Sequence, residues 1–317
     1  MTVRKRNAVL KGAALFFVFL GLSGLAFSYW VGGQLVAPRP AVIGPLPADL
    51  HADLHAEPIV IAGKPGPIYA WWISGEADKP SVLLLHGIRA NRLAMAGRAR
   101  LLAKHGYSVL LIDLQAHGES PGEAITLGLR ESAGMQSARE WIRNRRPGKS
   151  IAAIGVSLGG ASILLGPSPS GFDAVVLEAV YPDAQRALQN RMAMRFGPAA
   201  PLLSRLLEMQ VKPRLGISLN KLRPIDHIAG IGAPVLVIAG SRDQHTTPAE
   251  SAALFARAKD PKEYWLLPQA VHQDFQRLDP AGYEVRVIGF LQQHLADRAA
   301  SATIATAPTN ASAQADN

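Results

Sequence analysis

The stretch that most constrains this 317-residue chain is SIAAIGVSLGGASILLG, from Ser150 to Gly166. Ile151 to Ile154 is a short apolar run with the composition of a strand buried on both faces. Gly155-Val156-Ser157-Leu158-Gly159 follows without a break and fits G-x-S-x-G, and Gly160 to Leu165 then reads as an apolar helix. A strand, a sharp turn and a helix together present a serine at the end of a sheet. Gly155, Gly159 and Gly160 supply the small positions that let strand and helix approach. The competing account is a glycine-rich turn that only packs, and the strand before it and helix after it weigh against that.

With 48% hydrophobic residues, a chain of this length can bury a large core and suits one α/β domain with appendages. Charged residues make up only 18%, partly because one segment near the start carries none. A net charge of +9 raises the question of nucleic acid or an anionic membrane. Arg89, Arg92, Arg98, Arg100, Arg143, Arg145 and Arg146 are scattered, without interleaved aromatics, so no nucleic-acid partner is expected. The absence of cysteine excludes disulfides, thiolate metal sites and a cysteine nucleophile.

Arg4, Lys5, Arg6 and Lys11 precede an uncharged run, and Gly12 to Gly33 is apolar and long enough to cross a bilayer. Tyr29 and Trp30 sit near its far end, where interfacial aromatics belong. Residues 1–36 are therefore expected to be a transmembrane signal anchor, with the N-terminus cytoplasmic and the remainder on the outer, extracytoplasmic side. Ala26-Phe27-Ser28 resembles a small-x-small cleavage site, so the alternative is secretion after signal cleavage. A connector over 37–57 follows, within a stretch carrying prolines 38, 40, 45, 47, 58, 65 and 67, and is expected to act as an extended spacer. His51, Asp53, His55 and Glu57 lie inside it; the i, i+4 histidines could chelate a metal on a helix, but no further ligands cluster with them, and a solvated turn is expected.

From about residue 58 to 298, apolar runs alternate with helical stretches, which indicates βαβ units and a mostly parallel sheet with helices on both faces. Strands are expected at Ile59–Ile61 and Ile68–Ile73 (a hairpin), and at Ser81–Leu85, Ser108–Ile112, Ile151–Ile154, Ala174–Glu178, Pro234–Gly240 and Glu263–Leu267. Helices are expected near 93–105, 132–144, 248–258 and 281–295. Between 181 and 232 no strand pattern appears, and a Met-, Leu- and Arg-rich segment broken at Gly197-Pro198 predicts a helical cap. Residues 299–317 are low-complexity and expected to be disordered.

A serine hydroxyl becomes a useful nucleophile when a base takes its proton, and the base needs an acid to orient it. Asp243 follows the strand that ends at Gly240, and His272 follows the last strand, so both fall on the same sheet edge as Ser157. Glu178 and Asp183 are the alternative acids. His245 is the rival base, and His294 is expected on the solvated face of the last helix. An oxyanion needs two donors, which the backbone N–H groups of Leu158 and of Ile88, after His86-Gly87, are placed to supply.

The ordered set Leu83-Leu-Leu-His86-Gly87, Asp113-Leu-Gln-Ala-His117-Gly118-Glu-Ser120, Gly155-Val-Ser157-Leu-Gly159-Gly160, Gly240-Ser-Arg-Asp243 and Val271-His272 resembles the α/β-hydrolase superfamily. It is most similar to the serine-aminopeptidase-like and monoacylglycerol-lipase-like branch, over about Ile59 to Leu295. The resemblance implies a serine hydrolase with Ser157 as nucleophile, His272 as base and Asp243 as acid, needing no metal or organic cofactor. It also implies that His117-Gly118 is structural. The expected substrate is a small-molecule acyl ester, with a peptide or amide second. A membrane-tethered binding protein that keeps the fold without catalysis is the alternative of another class. A serine at position 157 disfavours haloalkane dehalogenase chemistry, which the resemblance ties to an aspartate nucleophile.

Overall fold

A sheet of eight strands organises the computed structural model, which describes residues 3–44, 46–64 and 66–295. The strands are β1 (Glu57–Gly63), β2 (Gly66–Ile73), β3 (Ser81–Leu85), β4 (Ser108–Ile112), β5 (Ile151–Val156), β6 (Ala174–Glu178), β7 (Val235–Gly240) and β8 (Lys262–Leu267). Their spatial order is β8-β7-β6-β5-β3-β4-β2-β1. The β1–β2 and β2–β4 pairs are antiparallel and every other pair in the sheet is parallel, as expected.

Strands β3 to β7 read as near-continuous apolar runs because helices cover both faces. Alternate residues of one strand enter different cores: Leu83 and Leu85 of β3 pack on one face, Val82 and Leu84 on the other. Helices Glu131–Arg145, Leu158–Leu164 and Pro248–Arg257 cover the first face. Helix Ala96–Lys104 covers the second, with a closing helix that runs from Pro280–Tyr283 through the π-helical turn Glu284–Ile288 to residue 295.

Between β6 and β7 the expected helical insertion consists of helices Ala184–Phe196 and Ala200–Leu215, separated by the 3-10 turn Gly197–Ala199. Asp183 starts the first by accepting from the Arg186 N–H at 2.7 Å.

The N-terminal helix spans Val3–Val36, and its Leu10–Val36 portion is long and apolar enough to cross a membrane. Residues 10–27 are exposed all round, whereas Ser28 is buried. From Ser28 onward the helix docks on Ala200–Leu215. Gln210 Nε2 donates to Ser28 Oγ at 2.9 Å, and the Arg214 guanidinium lies 3.9 Å from the Tyr29 ring centroid while donating to the Tyr29 carbonyl. A Cβ on Gly32 would collide with the Gln210 side chain, so glycine there sets the close approach of the two helices.

One expectation for the connector is corrected. It is packed on the domain and does not stand off as a free spacer: the Arg39 and Ala41 N–H groups each donate to main-chain carbonyls of Ala116 and Gly118 at 2.8 Å, and Leu50 is completely buried. The physical reason is that Ile43, Leu50 and Ala56 give this proline-rich stretch enough apolar surface to join the second core. His51 and His55 are exposed and flank the turn expected there, not sharing one helix face, because the helix Ala48–Ala52 ends between them and His55 has φ +49°. The tail 299–317 lies outside the described residues.

Candidate active site

Ser157 sits at the junction of β5 and helix Leu158–Leu164 with φ +48° and ψ −106°, a conformation that a side-chain-bearing residue adopts only when its surroundings impose it. The surroundings are the glycines. A Cβ on Gly155 would strike the backbone of Gly159 and Gly160, one on Gly159 the Leu85 carbonyl, and one on Gly160 the Val180 side chain. The Ser157 N–H donates to the Glu178 carbonyl at 2.8 Å, and its carbonyl accepts from Ala161 at 2.9 Å, which fixes the turn at both ends. Ser157 is buried, and among the described residues its Oγ has no hydrogen-bond partner.

Asp243 and His272 come together from the loops after β7 and β8. Asp243 Oδ1 accepts the N–H groups of His245 and Thr246 at 2.8 and 2.9 Å, leaving Oδ2 to bind His272 Nδ1 at 2.7 Å. A carboxylate on Nδ1 places the proton there and leaves the lone pair on Nε2. The Ser157–His272 hydrogen bond is not formed, so two of the three expected partners are joined and the third stands unbonded at the same sheet edge.

The rival groups are accounted for differently. His245 reaches Asp243 only through its backbone; its ring stacks on His272 at 4.9 Å, and burial, followed by the charges of Arg191 and His272, lowers its pKa. Glu178 is not an available acid. It is buried and held by Arg98 through two bonds of 2.9 and 2.6 Å and by the Tyr283 hydroxyl at 2.6 Å. Asp183 is occupied as a helix cap. His294, expected in solvent, is buried: its ring packs on Phe290 at 4.7 Å and its Nε2 faces Glu263 at 3.8 Å.

The loop after β3 crosses the elbow directly, since a Cβ on Gly87 would touch the Val156 carbonyl and Ser157 Cβ. His86 pins that loop. Its Nε2 accepts from the Leu114 N–H at 3.0 Å, so Nδ1 carries the proton and donates to the Gly87 carbonyl at 2.8 Å. Complete burial pushes its pKa down to about 3, and the neutral ring serves as a strut between the ends of β3 and β4. His117 meets it edge-on, with ring centroids 5.2 Å apart. A Cβ on Gly118 would meet the Asp113 carboxylate, which is paired with Arg92 at 2.5 Å. Among the described residues, no three His, Asp or Glu side chains gather to hold a metal.

Over the serine lies a cavity of about 530 Å³. Ser157, Leu158 and Ile88 contribute to it, and so do Leu188, Met192 and Leu207 of the insertion. Another wall is Trp30, Val31 and Leu35 of the N-terminal helix, and Arg39, Arg89, Arg191 and Arg195 also reach it. Sequence reasoning missed these last two groups. A uniformly apolar helix shows no stripe to mark a docking face, and the arginines are dispersed along the chain.

Residues 82–282, which include Ser157, Asp243 and His272, match the family model described as the alpha/beta hydrolase family. The chain belongs to the alpha/beta hydrolase family. This hydrolase is 29% identical over 268 residues to an uncharacterised protein of Mycobacterium tuberculosis, covering 83% of the chain and 88% of the relative. It is 26% identical over 222 residues to the alpha/beta hydrolase domain-containing protein WAV2 of Arabidopsis thaliana, covering 65% and 68%. Among solved structures, a Pyrococcus furiosus esterase superimposes with a TM-score of 0.66 at 26% identity, covering 82% of the hydrolase and 100% of the esterase. The alpha/beta hydrolase GrgF of a Penicillium species shares the fold at 19% identity and a TM-score of 0.60, covering 76% and 99%.

Proposed function

We propose that this hydrolase cleaves a carboxylic ester through a Ser157–His272–Asp243 triad and a covalent acyl-enzyme. The observation that carries this reading is the 2.7 Å Asp243–His272 bond at the same sheet edge as a strained, buried serine. Ser157 Oγ attacks the acyl carbon while His272 Nε2 takes its proton, and Asp243 steadies the imidazolium. The oxyanion forms between the backbone N–H groups of Leu158 and Ile88, and the Leu158 N–H is unspent by its helix because it lies in the first turn. The alkoxide leaves with the proton from His272, and water releases the acid by the same route. None of these steps calls for a metal or organic cofactor. The esterase among the solved relatives and the apolar walls of the cavity support an ester with an acyl chain as substrate.

The catalytic domain spans 58–298, with its cap over 181–232. Residues 1–36 hold it in a membrane, the N-terminus cytoplasmic and the domain on the extracytoplasmic side. The test is hydrolysis of p-nitrophenyl esters from acetate to palmitate by the full chain in detergent, beside Ser157→Ala and His272→Ala. Turnover that disappears in both variants supports the triad, with a loss on the order of 10³-fold or more. Fluorophosphonate labelling of Ser157 without ester turnover moves the assignment to amides or peptides. With neither, a binding protein remains.

A further inference from the structure

We propose that the substrate is an anionic amphiphile taken from the membrane surface: an acyl ester whose chain packs between the N-terminal helix and the cap, and whose phosphate or carboxylate is held by Arg39, Arg89, Arg191 and Arg195. This rests on the esterase reading and specifies its substrate class.

The first support is where the pocket lies along the helix. At 1.5 Å per residue, residues 10 to 29 cover about 30 Å, the thickness of bilayer hydrocarbon. Exposure on every side of the helix ends at Phe27, docking of one face on the cap begins at Ser28 while Tyr29 and Trp30 stay exposed, and the cavity wall begins at Trp30. Ser28, Val31, Gly32 and Leu35 recur at helical spacing and turn one face to the cap, where Val31 and Leu35 join Met192 and Leu207 in an apolar cluster. The reacting serine is thereby placed near the lipid–water boundary, with an apolar slot that the membrane-spanning helix itself helps to form.

The second support is charge. Five arginines line one cavity with the serine; Arg214 is engaged by Gln210 and Tyr29, and of the other four Arg39, Arg89 and Arg191 donate to main-chain carbonyls. Arg89 and Arg39 reach the Gln34 carbonyl at 3.0 and 3.4 Å, and Arg191 reaches that of Ala187 at 2.8 Å. Among the described residues none of the four forms an ion pair, and Arg39 Nε is buried without a partner. Burial, and after it the repulsion of Arg39, Arg195 and Arg191, lowers the pKa of Arg89. Burial lowers the pKa of Arg191 against the opposing pull of Tyr181, Asp243 and Glu250; Arg191 pairs with neither carboxylate, Asp243 being bound to His272 and Glu250 to Asn190 and Thr247. Clustered, unpaired arginines in a partly dry cavity favour a ligand that brings the opposite charge.

The test uses the full chain reconstituted in phosphatidylcholine vesicles, with 1-palmitoyl lysophosphatidic acid and 1-monopalmitoylglycerol as substrates that differ only by the phosphate. The expected kcat/KM is roughly tenfold or more higher for the phosphate-bearing ester. That ratio should collapse toward one in Arg191→Gln and in Arg89→Gln, the latter exposed enough to remain foldable. Equal rates in the native protein, or a ratio unmoved in both variants, would overturn the anion site. A 1-hexanoyl lysophosphatidic acid in water, turned over better than the palmitoyl ester in vesicles, would overturn supply from the membrane. p-Nitrophenyl ester turnover and fluorophosphonate labelling run in parallel: their presence confines any failure to this proposal, and their absence sinks the esterase reading beneath it.

Discussion

The chemistry of single residues separates Asp243, the carboxylate proposed to act, from those that brace. Glu178→Gln would leave the buried Arg98 guanidinium with only Asp274, 3.0 Å away and partly exposed. The expected cost is about 3 kcal/mol of stability, read from the denaturant midpoint, with esterase activity per folded molecule retained. Activity lost from the folded protein would return Glu178 to the list of candidate acids. His86 carries a pH prediction. Its pKa is lower in the folded state, about 3, than the ordinary value of about 6.5 in the unfolded chain. The unfolded state therefore binds the proton first, and stability is full above pH ~6.5 and falls as pH drops toward 3. His117, lowered for the same reason, adds to the loss, while Asp113 and Glu131, raised by burial, act in the opposite sense. The urea midpoint should fall from pH 7.5 to 5 more steeply in the native protein than in His86→Asn; equal slopes would refute the strut.

Among the elements, those repeated in a local pattern were legible in the sequence. The buried strands announced themselves as apolar runs, and the Ser157 elbow by its glycines. Asp243 and His272 could be read because each follows a strand end, which leaves little freedom about where it points. The packing of Leu50 and the burial of His294 were not legible, because each depends on a partner distant in sequence and neither sits in a periodic run. The N-terminal helix is the clearest case: its composition is the same on every side, and only the cap opposite defines which residues matter. Gly32→Leu tests that face. The added side chain would push Gln210 away and wedge the helix from the cap, so kcat/KM for p-nitrophenyl palmitate should fall roughly tenfold more than for the acetate. An equal fall for both esters would detach the helix from chain-length selection.

For the molecule as a whole, the proposed anchoring makes a topology prediction, since a basic head before an apolar span would keep the N-terminus cytoplasmic. An alkaline phosphatase reporter joined after residue 295 should be active outside the cytoplasm, and a cytoplasmic reporter in the same place should be silent; the reverse pattern would invert the topology. The docking of Trp30, Val31 and Leu35 into the catalytic cavity has a consequence for how such a protein could be regulated. If the N-terminal helix anchors the chain as proposed, a protease that shed the domain at Ala26-Phe27-Ser28 would cut beside the pocket wall and free that wall from its mooring in the bilayer. Release would then alter the enzyme's diet as well as its whereabouts, so that its address in the cell is itself part of its specificity.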